Sequence, residues 1–275
     1  MIDIILDTLL DGVKLLPFLF LTFLLIELFE HKFSDKSKKI TEKSGKFGPL
    51  LGSVFGVIPQ CGFSVAATNL YVTRIISLGT LFAVYLSTSD EMIPILIAEK
   101  APLDLLLKIL LIKFILGMVY GFIIDFILRK KEMPKYDICD HEHCECKDHI
   151  ILASLKHTFN VFIFVLICTF IINLIMHYLG EEYLEMIFLK NNFFGSFITS
   201  LIGLIPNCAA SVVITELYLK SAITFGALIG GLLTGAGIAL LVLLKEADKK
   251  EALKIIVSLY LIGTLTGIII DLVMM

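Results

Sequence analysis

FGPLLGSVFGVIPQCGFSVAATNLY at 47–71 returns as FGSFITSLIGLIPNCAASVVITELY at 194–218, a shift of 147 positions. Twelve of these 25 positions are identical, among them Gly56 with Gly203, Pro59 with Pro206, Cys61 with Cys208, Ser64 with Ser211, Thr68 with Thr215 and Tyr71 with Tyr218. The same shift sets Gly79 on Gly226 and residues 10–29 over 157–176. With one residue deleted it lays GFIID at 121–125 over GIIID at 267–271. The chain therefore reads as a tandem duplication: a first repeat over 1–130, a linker over 131–150 and a second repeat over 151–275. Solenoid repeats have much shorter periods, so a long period spanning several hydrophobic segments points to a transporter-type pair of halves.

Composition places both halves in a membrane. Apolar residues make up 57% of the chain and the mean hydropathy is +0.93, far above a soluble domain of this size. Stretches of roughly 20 apolar residues, enough to cross about 30 Å of hydrocarbon as helix, lie at 12–30, 77–98, 105–128, 156–177, 225–244 and 253–275. Six spanning helices are expected. The opening MIDIILDTLLDG carries acids where a secretory signal needs lysines, and no small-residue cleavage site follows, so the first helix is expected to remain.

The formal net charge of −3 says little; the placement of lysine and arginine sets orientation. Basic loops at 31–46, at 129–135 and at 245–254 should face the cytoplasm, whereas HYLGEEYLEMIFLKNN at 177–192 is acidic and reads as external. The first helix then runs inward and its repeat partner outward, so the halves are inverted and both termini are external. Between the cytoplasmic loops at 46 and 129 the number of crossings is even, and the helices at 77 and 105 supply two. Residues 48–76 must return to their starting side, with about 14 residues per arm reaching only some 20 Å. Pro59 and Pro206 would break each arm, followed by the polar tips Gln60 and Asn207. Such backbone survives at membrane depth only in protein or a wet cavity. The expected fold class is all-α integral membrane: two inverted-topology repeats, each with three spanning helices plus a re-entrant or broken hairpin, up to ten helices counting hairpin arms. Short full crossings in a thinned membrane would preserve the same parity.

Inverted tips should meet at the midplane. Second arms starting near Cys61 and Cys208 would point N–H groups and partial positive charge into the site, and first arms would offer carbonyls. Ser64, Asn69, Ser211 and Glu216 follow along the second arms. In LSTSDEMIP, Ser87, Thr88, Ser89, Asp90 and Glu91 interrupt an apolar helix, where an acid costs about 2.5–3.5 kcal/mol on insertion scales. The equivalent segment TGAG at 234–237 is flexible backbone instead. The alternative for each acid is a structural ion pair, with Arg74 or Lys113 as partner, or an interfacial position. Asp125 and Asp271, near helix ends, read as interfacial anchors.

Cys61 and Cys208 either coordinate a soft ion or are small residues at tight turns; Cys168, alone on an apolar face, reads as packing. The linker YDICDHEHCECKDH gathers Cys139, His141, His143, Cys144, Cys146 and His149. That density reads as a loop that captures, buffers or senses zinc or another transition metal, although its spacing is not that of a zinc finger. On the cytoplasmic side a structural disulfide is not expected.

No Walker sequence is present, and HEHC lacks the HExxH spacing of helical zinc proteases. An intramembrane enzyme is the rival of another class. It would need a base beside Cys61 or Ser64, and no histidine is evident there. A channel is a third reading, distinguished by lack of saturation.

The segments PQCGFSVAATNLY and PNCAASVVITELY, together with LSTSDEMIP, GALIGGLLTGAG and the Cys/His-rich linker, resemble a bacterial and archaeal family of ten-helix heavy-metal exporters, variously labelled arsenic efflux proteins or manganese transporters. The resemblance covers essentially the whole chain. It implies a ten-helix count in which each hairpin arm is a helix, and it implies that Gln60, Cys61, Asn69, Ser89, Asp90, Glu91, Asn207, Cys208 and Glu216 line the pathway.

Manganese prefers oxygen ligands and arsenite prefers thiolates. Asp90, Glu91, Gln60 and Asn207 favour a hard divalent cation, Cys61 and Cys208 a softer one, and two helix N-termini an anion. The expectation is efflux of a divalent metal, manganese first, across the inner membrane. A proton or sodium gradient would drive it, with no tightly bound cofactor and no nucleic-acid partner, and a homodimer is an open option. Arsenite or another small anion is the alternative substrate.

Overall fold

The structure, a computed structural model, describes residues 47–58, 61–89, 92–128 and 195–274, with positions 13, 16–17, 20–21, 24, 155, 158–164, 166–167 and 170–171. Ten helices are bounded within these residues and no strand occurs among them: α1 (Gly48–Val57), α2 (Cys61–Val72), α3 (Leu78–Ser87), α4 (Met92–Ala98), α5 (Leu103–Leu128), α6 (Gly195–Gly203), α7 (Cys208–Leu219), α8 (Phe225–Thr234), α9 (Ala239–Glu246) and α10 (Lys249–Met274).

The two repeats build the same pieces. Pro49 opens α1 in its first turn, where its missing N–H costs nothing, and Ile58, the residue before Pro59, leaves the helix in extended conformation at ψ 123°. The Ser77 hydroxyl caps α3 by accepting from the Thr80 N–H, and the Thr224 hydroxyl caps α8 by accepting from the Ala227 N–H. Asp125, on α5, accepts from the Ser77 hydroxyl at 2.7 Å and the Gly79 N–H at 2.9 Å. Asp271, on α10, repeats this with Thr224 at 2.7 Å and Gly226 at 2.8 Å. Both carboxylates thus cap helix starts, where sequence suggested interfacial anchors.

The stretches at 77–98 and 225–244 read as continuous spans, and the structure breaks both. In the first, Ser87 and Thr88 turn their hydroxyls back onto the carbonyls of Ala83 and Val84, Thr88 leaves the helical conformation at ψ 130°, and α4 starts at Met92. In the second, Gly237 adopts φ 56°, which a glycine takes without steric cost, and α9 starts at Ala239. The span Phe225–Glu246 is therefore two helical pieces around a break, whereas Leu103–Leu128 and Lys249–Met274 are long and apolar enough to cross a membrane uninterrupted.

Small residues set the packing. Gly48, Gly52 and Gly56 face Thr80, Ala83 and Ser87 of α3 so closely that an added Cβ on Gly56 would lie 2.0 Å from the Ser87 hydroxyl. Gly117 and Gly121 bring α5 against α3, and Gly263 and Gly267 bring α10 against α8. Helices in lipid associate this way because no hydrophobic driving force separates one apolar surface from another. Each repeat forms a trio, α1 with α3 and α5, α6 with α8 and α10, and the trios meet where α3 touches α8. Leu81, Phe82, Tyr85 and Leu86 on α3 and Leu228, Ile229, Leu232 and Leu233 on α8 are enclosed there. Exchange is reciprocal at the flanks: α2 packs on α9 and α7 on α4. The outermost helices carry exposed rows at four-residue spacing, Leu103, Leu107, Leu111 and Ile115 on α5, Leu253, Val257, Leu261 and Leu265 on α10. Rows of this kind suit lipid, not water.

Candidate functional site

Helices α2 and α7 each lie beside a break. In α2, the Ser64 hydroxyl is 3.2 Å from the Thr88 hydroxyl. One turn on, the Thr68 hydroxyl is 2.6 Å from the Tyr85 hydroxyl and donates to the Ser64 carbonyl at 2.8 Å. In α7, the equivalent Ser211 faces the second break: a Cβ added at Gly235 would lie 3.1 Å from the Ser211 Oγ. Thr215 donates to the Ser211 carbonyl at 2.7 Å, matching Thr68. Ser87, Thr88 and Ser89 are buried at the first break, and Thr234 is buried at the second. The Ser89 hydroxyl donates to the Ser87 carbonyl at 3.1 Å, and the Thr234 hydroxyl donates to the carbonyls of Ser200 at 2.8 Å and Gly231 at 2.9 Å.

Lys113 joins the two breaks. It is carried by α5 and is 1% exposed. Its ammonium donates to the Thr88 carbonyl at the end of α3 and, at 2.7 Å, to the Leu232 carbonyl in the last turn of α8. Helix C-termini carry partial negative charge, so two of them converge on one cation. Sequence raised Lys113 as an ion-pair partner for Asp90 and Glu91, which lie outside the described residues; these two bonds run to backbone carbonyls. The signal that finds it is a lysine in the interior of a long apolar helix, an ionisable residue at membrane depth.

The other candidates are placed as follows. Asn69 is 1% exposed, and among the described residues neither its amide nitrogen nor its amide oxygen has a hydrogen-bond partner. Asn207 is buried just before α7, its N–H donating to the Ile205 carbonyl at 2.7 Å. Glu216, on α7, is partly exposed and 3.8 Å from Lys220. Cys61 and Cys208 begin α2 and α7, the positions expected for the starts of the second arms. Gln60, Asp90, Glu91, Cys168 and the linker residues Cys139, His141, His143, Cys144, Cys146 and His149 lie outside the described residues. Among the described residues no group of three or more His, Cys, Asp and Glu side chains gathers into a metal centre.

Outward rows of leucine, closely packed glycines and helices broken around buried hydroxyls and a buried ammonium define a multi-pass helical membrane protein. The chain belongs to the ArsP_2 family, described as "Putative, 10TM heavy-metal exporter", whose model matches residues 1–188 and again residues 145–275. No curated protein and no solved structure matches it.

Proposed function

We propose that the chain is a secondary transporter exporting a divalent transition-metal ion, manganese favoured, by alternating access around the tips at Pro59-Gln60-Cys61 and Pro206-Asn207-Cys208. The observation that carries this reading is the pairing of hairpin and break in both halves, Ser64 against Thr88 and Ser211 against Gly235, with Lys113 bonded to both broken helices. Discontinuous helices at a repeat interface are the usual framework of ion-coupled carriers.

Asp90 and Glu91 adjoin the first break in sequence, so their carboxylates are the hard ligands of the reading, with the amide oxygens of Gln60 and Asn207 beside them. Cys61 and Cys208 extend the site toward softer metals. Ser87, Ser89, Ser64 and Ser211 supply hydroxyls along the path, and Asn69 and Glu216 continue it along the second arms. The hairpins are re-entrant and the halves inverted, so rocking one half against the other exposes the same ligands first to the cytoplasm and then outside. The protein sits in the inner membrane with external termini. The linker over 131–150 is cytoplasmic and presents Cys139, His141, His143, Cys144, Cys146 and His149 to capture zinc or another transition metal before transport.

The test is the metal content of cells expressing wild type or Asp90→Asn/Glu91→Gln under separate manganese, zinc and arsenite loads. Depletion of one element by wild type, abolished in the double variant at equal membrane expression, supports the reading and names the substrate. No change in any element sinks it and favours a small anion.

A further inference from the structure

Among the described residues, Lys113 is the only fully enclosed Lys, Arg, Asp or Glu side chain. It is also a break in the internal symmetry. The register that pairs Gly117 with Gly263 and Gly121 with Gly267 puts Leu259 opposite it in the second repeat, and Leu259 is as deeply buried. One cation therefore serves both halves. Its two carbonyl partners belong to different repeats, Thr88 at the C-terminal end of α3 and Leu232 in the last turn of α8.

Carbonyls at the C-terminal ends of broken helices are the groups with which ion-coupled carriers hold sodium. Sodium and an ammonium ask the same thing of such a site: several oxygen acceptors and a partial negative charge. Here an ammonium already takes that place. It is tethered, it arrives with α5, and its bonds span the contact between the halves.

We infer that the Lys113 ammonium replaces a coupling sodium ion at the junction of the two breaks, so that the carrier neither binds nor needs sodium there. The inference deepens the transporter reading and rests on it for the word coupling. The charge placement itself is independent of which solute is carried. Lys113 is a positioning residue, holding the ends of α3 and α8 in register as a bound sodium holds them in other carriers.

The experiment uses the full chain purified in detergent, with thermal unfolding followed in sodium chloride and in choline chloride of equal ionic strength. Wild type should unfold at the same Tm in both. Lys113→Ala should lose several degrees in choline and regain them, saturably, with sodium or methylammonium, either of which fits the vacated place. Lys113→Arg, which keeps the charge and the donors, should stay indifferent to sodium. In proteoliposomes, manganese transport by wild type should run equally fast in sodium and in choline. A saturable stabilisation of wild type by sodium, transport lost in choline, or a Lys113→Ala protein indifferent to both cations overturns the inference. If no metal is transported at all, the transporter reading fails while the unfolding series still decides the role of Lys113. If Lys113→Ala cannot be purified, the response of wild type to sodium decides it alone.

Discussion

Arg74 and Glu251, 177 residues apart, join the two repeats through a forked pair: the guanidinium donates to the two carboxylate oxygens at 2.8 and 2.7 Å. The Tyr71 hydroxyl donates to the same carboxylate. Arg74 lies in the turn two residues after α2 of the first repeat, and Glu251 lies in the first turn of α10 in the second. The equivalent of Arg74 is Ser221, so the latch exists once.

Loss of this latch should be measurable. Both side chains are mostly covered, at 13% and 24% exposure, so a hydrogen-bonded charge pair here contributes about 1–3 kcal/mol. Glu251→Gln is expected to lower Tm by several degrees, and the exchange Arg74→Glu/Glu251→Arg to recover part of the loss. A double-mutant cycle in detergent unfolding checks the coupling; zero coupling refutes the latch.

Arg74 and Ser221 share a left-handed backbone, φ 60° and 58°, closing α2 and α7. The following N–H groups, of Ile75 and Ala222, both reach back at 2.8 Å to the carbonyls of Leu70 and Leu217, the helix ending that favours glycine. Ser221→Gly should therefore stabilise by about 1 kcal/mol. Arg74→Gly should be destabilising despite the same relief, because it removes the latch. Chemical denaturation of the two variants distinguishes these signs.

Gly226 and Gly237 should respond differently to alanine. A Cβ at Gly226 would lie 2.2 Å from the Gly267 carbonyl, while one at Gly237 meets nothing within 4 Å. Gly226→Ala is expected to separate α8 from α10 and cost about 3 kcal/mol or more. Gly237→Ala carries only the backbone strain of its positive φ, about 1 kcal/mol. Folded yield from membranes and Tm rank the two, and equal losses would contradict the close approach at Gly226.

Asn69 offers a separation of stability from function. A buried amide without partners costs about 1–3 kcal/mol, so Asn69→Leu should leave the protein as stable or more so. If Asn69 lines the pathway, the same variant should lose metal efflux in the cell assay. A stabilised variant with full efflux removes Asn69 from the pathway.

The duplication was legible because it is written in identical residues, and the paired caps show the same repetition in space: Ser77 with Asp125 and Thr224 with Asp271 occupy matching places. The starts of α2 and α7 at Cys61 and Cys208 were legible from proline chemistry, since a residue without an N–H interrupts a helix locally. The breaks after Ser87 and after Thr234 were half legible. Hydropathy averages over a span and cannot register a short interruption, although polar Ser87–Glu91 and the glycines of TGAG marked where the breaks fall.

By itself the sequence determined an all-helical membrane protein made of two related halves, because membrane insertion and helix interruption depend on local composition and on proline, glycine and charge at known positions. Only tertiary structure decided that α2 docks on α9 and α7 on α4, that Arg74 finds Glu251, and that Lys113 reaches a carbonyl in each half. Those partners are far apart in the chain. Their meeting depends on how closely small residues let whole helices approach, a property of both surfaces together that no single segment encodes.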